Sequence, residues 1–364
     1  MADARVIPLH GDGEPGRRGA ARSPNGAAAR RARRPGAAGA GEWTDAPAAT
    51  DASDRAATTR AGRTGRGGRG RGRDEDAGAP AGRPETEWER RIAGGLAFLR
   101  RRITGDYEVD DFGFDRDLTE HVLAPPFRPL YRNWFRVEAS GLQNVPSTGG
   151  ALVVANHSGT VPVDAIMTAL ALLDHHPEHR PLRMLGADLV FRTPGLGPLA
   201  RKSGQTLACN PDAERLLGAG QLVGVWPEGF KGIGKPFADR YKLQRFGRGG
   251  FVSAALRTRV PIVPCSIVGA EEIYPMLGNA RTLARLLGVP YVPITPTFPL
   301  LGPLGLVPLP SKWLIEFGEP IDTAALPEDA PDDPMLVFNL TDQVRETIQQ
   351  TLYRLLLQRQ SVFR

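Results

Sequence analysis

The stretch of sequence that decides the fold is ALVVANHSGTVPVD, residues 151–164. Its first five residues are apolar, as is typical of a strand buried on both faces of a sheet. Four residues with polar or minimal side chains follow without a break: Asn156, His157, Ser158 and Gly159. Pro162 then suits the first position of a helix. Because strand ends in α/β sheets present functional loops on a rigid scaffold, this stretch predicts a sheet and a site together.

Apolar strands and helical segments alternate on both sides of this stretch. Further strands are predicted at residues 134–139, 182–185, 222–226, 261–268 and 312–317. Helices are predicted at residues 162–173, 213–219, 250–257 and 335–357. This order indicates an α/β fold, with a mixed, mostly parallel sheet flanked by helices. The α/β domain is expected over residues 133–326, and residues 327–364 are expected to form a C-terminal helix that packs on it.

The N-terminal part of the chain has a different character. Residues 1–85 are rich in Ala, Gly, Arg and Pro, so we expect a long disordered tail. The segment 86–132 is expected to be helical. An amphipathic helix is predicted at residues 87–103, with Trp88, Ile92, Leu96, Leu99 and Ile103 on its apolar side. A second short helix, interrupted by two prolines, is predicted at residues 118–131.

Residues 60–73 of the tail carry six arginines in fourteen positions. Such a run suits RNA or anionic lipid head groups, and a solvated tail without a partner is the alternative. No aromatic residue is interleaved to stack on bases, which argues against a nucleic-acid partner. RNA binding through this tail stays open only as a separate hypothesis.

Composition limits the remaining classes. The 364 residues and net charge of +6 allow one large core of roughly 200–250 residues plus extra segments. Cys209 and Cys265 lie far apart in no metal-binding pattern, so neither a disulfide framework nor a metal site is expected. A secretory signal and a membrane-spanning helix are not expected either, because no apolar run has the required place or length. The sequence leaves the oligomeric state open.

Residues 289–310 form an uncharged, mostly apolar segment, and they contain seven prolines. Proline removes backbone donors and breaks helices, so this segment cannot be a spanning helix. Two interpretations stay open. The segment is either an apolar surface loop that touches lipid or lines an acyl-chain groove, or a buried connection.

His157 and Asp164 are the candidate catalytic pair. Histidine acts as a general base near neutral pH when a carboxylate fixes its tautomer and stabilises its charged form. Asp164 falls in the first turn of the helix that follows Pro162, and from there its side chain can turn back to His157. The alternatives are an acidic residue that merely favours a helix N-terminus and a loop histidine bonded to backbone.

A second candidate stretch, WPEGFK at residues 226–231, again follows a buried strand. Glu228 is expected to accept a hydrogen bond from a hydroxyl, and Gly229 to let the backbone approach a ligand. Six cations follow closely: Lys231, Lys235, Arg240, Lys242, Arg245 and Arg248. Cations beside a glycine-rich turn suit a phosphate, and a solvated basic loop is the alternative.

Two familiar enzyme motifs are set aside. GFKGIGK at residues 229–235 fits part of a nucleotide-binding P-loop, but Pro236 stands where Ser or Thr must bind magnesium. The chain also contains no GxSxG sequence, so a serine hydrolase has little support.

Together these motifs resemble the PlsC-like glycerolipid and lysophospholipid acyltransferase superfamily over about residues 134–325. Its first motif, Asn-His with a downstream Asp, is matched by Asn156, His157 and Asp164. Its third motif, Phe-Pro-Glu-Gly, is matched by residues 226–229. Its fourth, an apolar strand with prolines, is matched by VPIVP at residues 260–264, and the three occur in the expected order.

The resemblance implies an O-acyltransferase. His157, assisted by Asp164, would deprotonate an acceptor hydroxyl, which would attack the thioester of acyl-CoA or acyl carrier protein without any cofactor or metal. The implied substrate-binding residues are Asn156, Ser158, Gly159, Glu228, Gly229, Lys231, Lys235, Arg245 and Pro264. The acceptor would be a glycerolipid or lysophospholipid, and the enzyme would contact the cytoplasmic face of the membrane peripherally.

Two departures from the family pattern bear on this expectation. Six residues separate His157 from Asp164, where the family has four, and Pro162 occupies the usual Asp position. Asn210 stands where the second motif has a phosphate-binding Arg, so Arg201, Lys202 or Lys231 would have to replace it. The spacing supports a competing hypothesis, a catalytically silent lipid-binding or scaffold protein, and it also points to an unusual acceptor.

Overall fold

The computed structural model describes residues 87–363, with side chains from Ile92 onward. The predicted disordered tail at residues 1–85 and its arginine-rich run lie outside the described residues. Strands occur at β1 (Glu138–Ser140), β2 (Ala151–Ala155), β3 (Leu182–Gly186), β4 (Thr206–Leu207), β5 (Leu222–Val225), β6 (Ile262–Val268), β7 (Gly278–Asn279), β8 (Pro293–Ile294) and β9 (Leu314–Phe317). Helices occur at α1 (Glu87–Thr104), α2 (Arg116–Leu118), α3 (Val163–His175), α4 (Asp188–Arg192), α5 (Leu196–Lys202), α6 (Asn210–Gly218), α7 (Phe230–Ile233), α8 (Gly250–Thr258), α9 (Arg281–Leu287) and α10 (Pro334–Gln358).

Seven strands form one sheet in the order β1-β9-β6-β2-β5-β3-β4. Every pair in it is parallel except β6 with β9. The predicted mixed, mostly parallel sheet is therefore confirmed. Strand β2 lies at its centre, between β5 and β6, and all five of its residues are buried.

The two faces of the sheet bury different helices. Val153 and Ala155 of β2 pack with α3 on one face, whereas Leu152 and Val154 pack with α6, α8 and α10 on the other. Because β2, β5 and β6 run parallel, their carboxyl ends meet at one edge of the sheet. Such an edge is where α/β proteins bind ligands.

Two local differences from the sequence expectation have physical causes. Arg136 adopts a positive φ of 45°, so β1 begins only at Glu138 and not at residue 134. The prolines at 125 and 126 divide the expected second helix into short turns at Thr119–Leu123, Pro125–Phe127 and Leu130–Trp134. Helix α9 was not predicted.

The proline-rich segment 289–310 lies on the surface, and Leu300, Leu301 and Leu304 are all exposed. The interpretation of a buried connection is therefore wrong for most of its length, although Thr295 is buried. Among residues 87–363 no helix combines the length and the apolarity needed to cross a membrane.

Candidate active site

His157 and Asp164 are in contact. The His157 Nδ1 atom lies 2.8 Å from Asp164 Oδ2, and the same oxygen accepts the Ser158 N–H at 2.9 Å. Asp164 is fully buried in the first turn of α3, where the helix dipole favours a negative charge. An ionised carboxylate only accepts hydrogen bonds, so Nδ1 carries the proton and Nε2 is left basic.

The loop between the two residues absorbs the unusual spacing by turning tightly. Gly159 and Thr160 both have positive φ, 98° and 63°. Val161 N–H then donates to Gly159 O at 2.6 Å, and Val163 N–H to Val161 O at 2.7 Å. These successive tight turns use up the additional residues before α3 begins, so the main reason for expecting a silent protein is removed.

Gly159 is required by its surroundings as well as by its φ. A Cβ atom there would lie 2.9 Å from the carbonyl oxygen of Ala270, which is closer than side-chain carbons approach. The loop that carries His157 is thereby pressed against the chain that follows β6. Gly159 shapes this loop, and nothing in its contacts gives it a separate binding role.

Asn156 fixes the position of the loop. Its side-chain amide donates to Ile267 O at 3.0 Å, and its side-chain oxygen accepts the Ile267 N–H at 2.8 Å. The side chain thus continues the β2–β6 pairing for one more step while the backbone turns away. Asn156 therefore positions the loop of His157, and its predicted contact with a substrate stays a prediction.

The buried carboxylate of Glu228 connects two other loops through hydrogen bonds. Its Oε1 accepts the His157 N–H at 3.0 Å, and its Oε2 accepts the Gln244 N–H at 2.7 Å. The carboxylate therefore joins three loops and positions the backbone of His157. The predicted contact of Glu228 with a substrate hydroxyl stays a prediction.

The buried ammonium group of Lys235 pairs with the carboxylates of Glu228 and Glu271. Its Nζ atom lies 3.6 Å from Glu228 Oε2 and 3.3 Å from Glu271 Oε1. Burial raises the pKa of the Glu271 carboxyl to about 7, although Lys235 and the Tyr241 N–H both oppose this rise. Since Lys235 is buried between two carboxylates, it is not available for a phosphate, contrary to the prediction.

Gly232 is a site residue that the sequence analysis missed. A Cβ atom at Gly232 would lie 2.6 Å from His157 O and 2.7 Å from Glu228 Cβ, so only glycine lets α7 pack against both. The glycine-rich sequence GFKGIGK at residues 229–235 could have indicated this close packing. Of the glycines in this stretch, Gly232 serves close packing on the histidine.

The remaining predicted binding residues divide into two groups. Lys231, next to Gly232, is exposed, and so is Arg245, which follows the Gln244 that Glu228 holds. Gly229 adopts φ 54° and ψ −142°, and the space where its Cβ would point is open. Pro264 is different, because it lies buried in β6.

Pro264 faces away from the catalytic pair. Its neighbours Cys265 and Ile267 belong to the core on the α3 side, whereas Ser266 bonds to Ile348 of α10. Residues alternate between the faces of a sheet, so Pro264 points to the α10 side. Its predicted part in shaping the site is corrected to a place in the opposite core layer.

Two buried polar atoms beside His157 lack a partner in residues 92–363, namely Ser158 Oγ and Trp226 Nε1. The Trp226 ring lies 5.9 Å from the His157 ring, centroid to centroid. Unpaired buried polar groups are rare and call for an explanation. Over the same described residues no cluster of three or more His, Cys, Asp or Glu side chains is arranged to hold a metal.

The cations proposed to replace the missing motif arginine lie in different surroundings. Arg201 stacks on the ring of Phe191 at 5.0 Å, and Lys202 lies 3.9 Å from Asp115. Lys231 is the one of the three that sits directly beside a residue packed on His157. Asn210, aligned with the motif arginine, opens helix α6.

Comparison with known proteins gives a consistent set of similarities. Residues 136–268, which contain His157, Asp164 and Glu228, match the family model described as Acyltransferase. An uncharacterized protein of Mycobacterium tuberculosis (strain ATCC 25618 / H37Rv) is 61% identical over 272 residues, or 75% of this chain and 76% of that protein.

More distant similarities concern lipid enzymes. The human "DGAT1/2-independent enzyme synthesizing storage lipids" is 25% identical over 170 residues, or 46% of this chain and 51% of that protein. A crystal structure of the 1-acyl-sn-glycerophosphate acyltransferase PlsC from Thermotoga maritima aligns with a TM-score of 0.43 and 17% identity, covering 73% of this chain and 96% of that one.

Proposed function

This chain belongs to the family described as Acyltransferase, and we propose that it transfers a fatty acyl group from a thioester to a lipid hydroxyl. The donor is acyl-CoA or acyl carrier protein, and the acceptor is a glycerolipid or lysophospholipid. His157 is the general base and Asp164 orients it. The observation that carries this proposal is the 2.8 Å contact between His157 Nδ1 and Asp164 Oδ2.

The geometry supports a direct transfer without an acyl-enzyme. His157 Nε2 takes the proton of the acceptor hydroxyl, and the oxygen attacks the thioester carbonyl carbon. The tetrahedral intermediate collapses with cleavage of the C–S bond, and the proton on His157 passes to the leaving thiolate. Ester and free thiol are the products, and Asp164 stabilises the transient imidazolium throughout.

Several groups around His157 are suited to hold the substrates. Ser158 Oγ and Trp226 Nε1 are buried and unpaired within the described residues, so each can donate to a substrate oxygen on which charge develops. Lys231 and Arg245 are exposed, and each adjoins a residue of this site, Gly232 and Gln244, so both suit an acceptor phosphate or the phosphates of a coenzyme.

The acceptor is the part of the proposal that the chain constrains least. Lys235 is buried against Glu228 and Glu271, and Asn210 replaces the motif arginine. Fewer cations are therefore available to bind a phosphate. The name of the human relative refers to storage lipids, which favours testing neutral acylglycerols beside lysophosphatidate. Because the proposed substrates are lipids, we propose that the enzyme contacts a membrane peripherally.

An acyl-transfer assay on the full chain tests the proposal. Purified protein is supplied with acyl-CoA or acyl carrier protein and with short-chain forms of lysophosphatidate, monoacylglycerol and diacylglycerol. His157→Ala is expected to lower kcat by about 10²–10⁴-fold, which is the usual contribution of a general base. His175→Ala, in an exposed histidine at the end of α3, is the matched control. Activity that survives His157→Ala would refute the mechanism.

A further inference from the structure

Residues 277–307 expose ten large apolar side chains in and around α9, the β7–β8 pair and the loop that follows. We call these residues the leucine surface. Its exposed apolar members are Leu277, Leu283, Leu286, Leu287, Ile294, Leu300, Leu301, Leu304, Leu306 and Val307. Soluble proteins rarely expose so many large apolar residues together unless the patch binds something.

Charge on the leucine surface has one sign only. Residues 277–307 contain no Asp or Glu, and their charged members are Arg281 and Arg285. Both arginines are exposed on α9, and Ala284 is the residue through which this helix is buried. Leucines interleaved with arginines fit an interface between acyl chains and anionic head groups, because arginine can bury its stem and keep its charge at the surface.

The leucine surface is bonded to the loop that carries His157. The Tyr291 hydroxyl donates to Thr160 O, and the Thr160 hydroxyl donates to Tyr274 O at 3.1 Å. The Tyr274 hydroxyl in turn donates to Leu306 O. Burial, and after it the Asp164 carboxylate, raises the pKa of Tyr291, so its hydroxyl remains a donor at physiological pH.

We propose that the leucine surface docks on an anionic lipid bilayer and holds the loop of His157 at the lipid–water interface. Leucines enter the acyl region, and Arg281 and Arg285 contact phosphates of the head groups. The choice of a bilayer over a protein rests on the proposed function, in which the acceptor is itself a lipid. A second copy of this chain is the competing occupant, and an acidic peptide is disfavoured because most of the surface is uncharged.

Flotation of the full chain on lipid vesicles tests this docking surface. Vesicles of phosphatidylcholine alone and of phosphatidylcholine mixed with phosphatidylglycerol are compared. The double variant Leu286→Ser/Leu300→Ser changes side chains that are 81% and 83% exposed, and we expect it to lower the partition coefficient by at least about tenfold. Leu357→Ser is the matched control, since Leu357 is 89% exposed but lies at the end of α10.

The charge of the surface is tested separately. Arg281→Gln/Arg285→Gln is expected to reduce the preference for vesicles with phosphatidylglycerol, and added salt should weaken wild-type binding to them. Melting temperatures of all variants close to that of the wild type would exclude a folding defect.

Two outcomes would overturn the docking surface. One is equal flotation of the wild type and the Leu286→Ser/Leu300→Ser variant. The other is a dimeric wild type that becomes monomeric in this variant while vesicle binding is unchanged. Flotation needs no acyl transfer, so failure of the proposed function, seen as an inactive wild type with soluble short-chain substrates, would be recognised separately.

Discussion

The loop that carries His157 and the leucine surface are bonded to each other, yet they are built on opposite principles. In the loop almost every polar group has a partner, and Asn156, Asp164 and Glu228 each make at least two hydrogen bonds. On the leucine surface apolar side chains are exposed, and α9 touches the protein mainly through Ala284.

The difference follows from what each region has to do. Proton transfer depends on distances of about 3 Å, and a close-packed loop with many internal hydrogen bonds can hold them. Docking on lipid needs exposed apolar area and tolerates loose geometry. Substitutions in the loop should therefore change rates strongly, whereas single substitutions on the surface should change partitioning by modest factors.

Asp164→Asn is the substitution in this comparison with the largest expected effect. An asparagine amide can donate to His157 Nδ1 and so select the tautomer with the proton on Nε2, which removes the base. We expect kcat to fall by about 10²–10³-fold with little change in vesicle flotation. Steady-state kinetics with short-chain acceptors gives the measurement.

Asp174→Asn is its matched control, because Asp174 lies in the same helix α3 and pairs with Arg128 at 2.9 Å. It should cost stability without a comparable loss of kcat. If the two variants lost the same fraction of activity, Asp164 would be an ordinary structural carboxylate.

Glu271→Gln tests how the buried carboxyl of Glu271 beside Lys235 affects the free energy of unfolding. The pKa of Glu271 is raised from 4.5 to about 7. A carboxyl with a raised folded pKa stabilises the fold fully below its unfolded value, and that stabilisation is lost as the pH rises through 7. The difference between the two pKa values corresponds to about 3 kcal/mol.

Denaturant unfolding at pH 5 and pH 8 measures this effect. The wild type should lose about 2.5 kcal/mol more than Glu271→Gln between these pH values, because the variant lacks the titrating group. Glu319→Gln, in an exposed carboxyl after β9, should follow the wild type. Parallel curves for the wild type and Glu271→Gln would mean that Lys235 keeps Glu271 ionised throughout.

The same contrast explains how far the sequence could predict the structure. Strand β2, the loop and the first turn of α3 are adjacent in the chain, so local patterns were enough to bring His157 and Asp164 together. The partners of Asn156 and Glu228 are distant in sequence, at Ile267 and Gln244. A local sequence pattern cannot indicate contacts between residues so far apart in the chain. Both residues were therefore predicted to bind the substrate.

Residues 277–307 were hard to predict for a different reason. Helix α9 is short, and only one of its residues is buried, so it lacks the periodic apolar face from which a helix is recognised in a sequence. Residues 289–310 stood out by composition, but composition alone could not distinguish exposure from burial. Contacts of Tyr291 and Tyr274 decide where this segment lies.

Tyr291→Phe has the smallest expected effect and tests the connection between the two regions. It removes the hydrogen bond to Thr160 O, which should lower the free energy of unfolding by about 1 kcal/mol. Because Thr160 lies in the loop that sets the spacing of His157 and Asp164, kcat should fall as well, by less than about tenfold. Tyr353→Phe, in an exposed tyrosine of α10, should change neither quantity. If Tyr291→Phe lowered stability and left kcat at the wild-type value, the tyrosine would hold the surface in place without influencing the catalytic loop, and the two regions would be neighbours but not coupled.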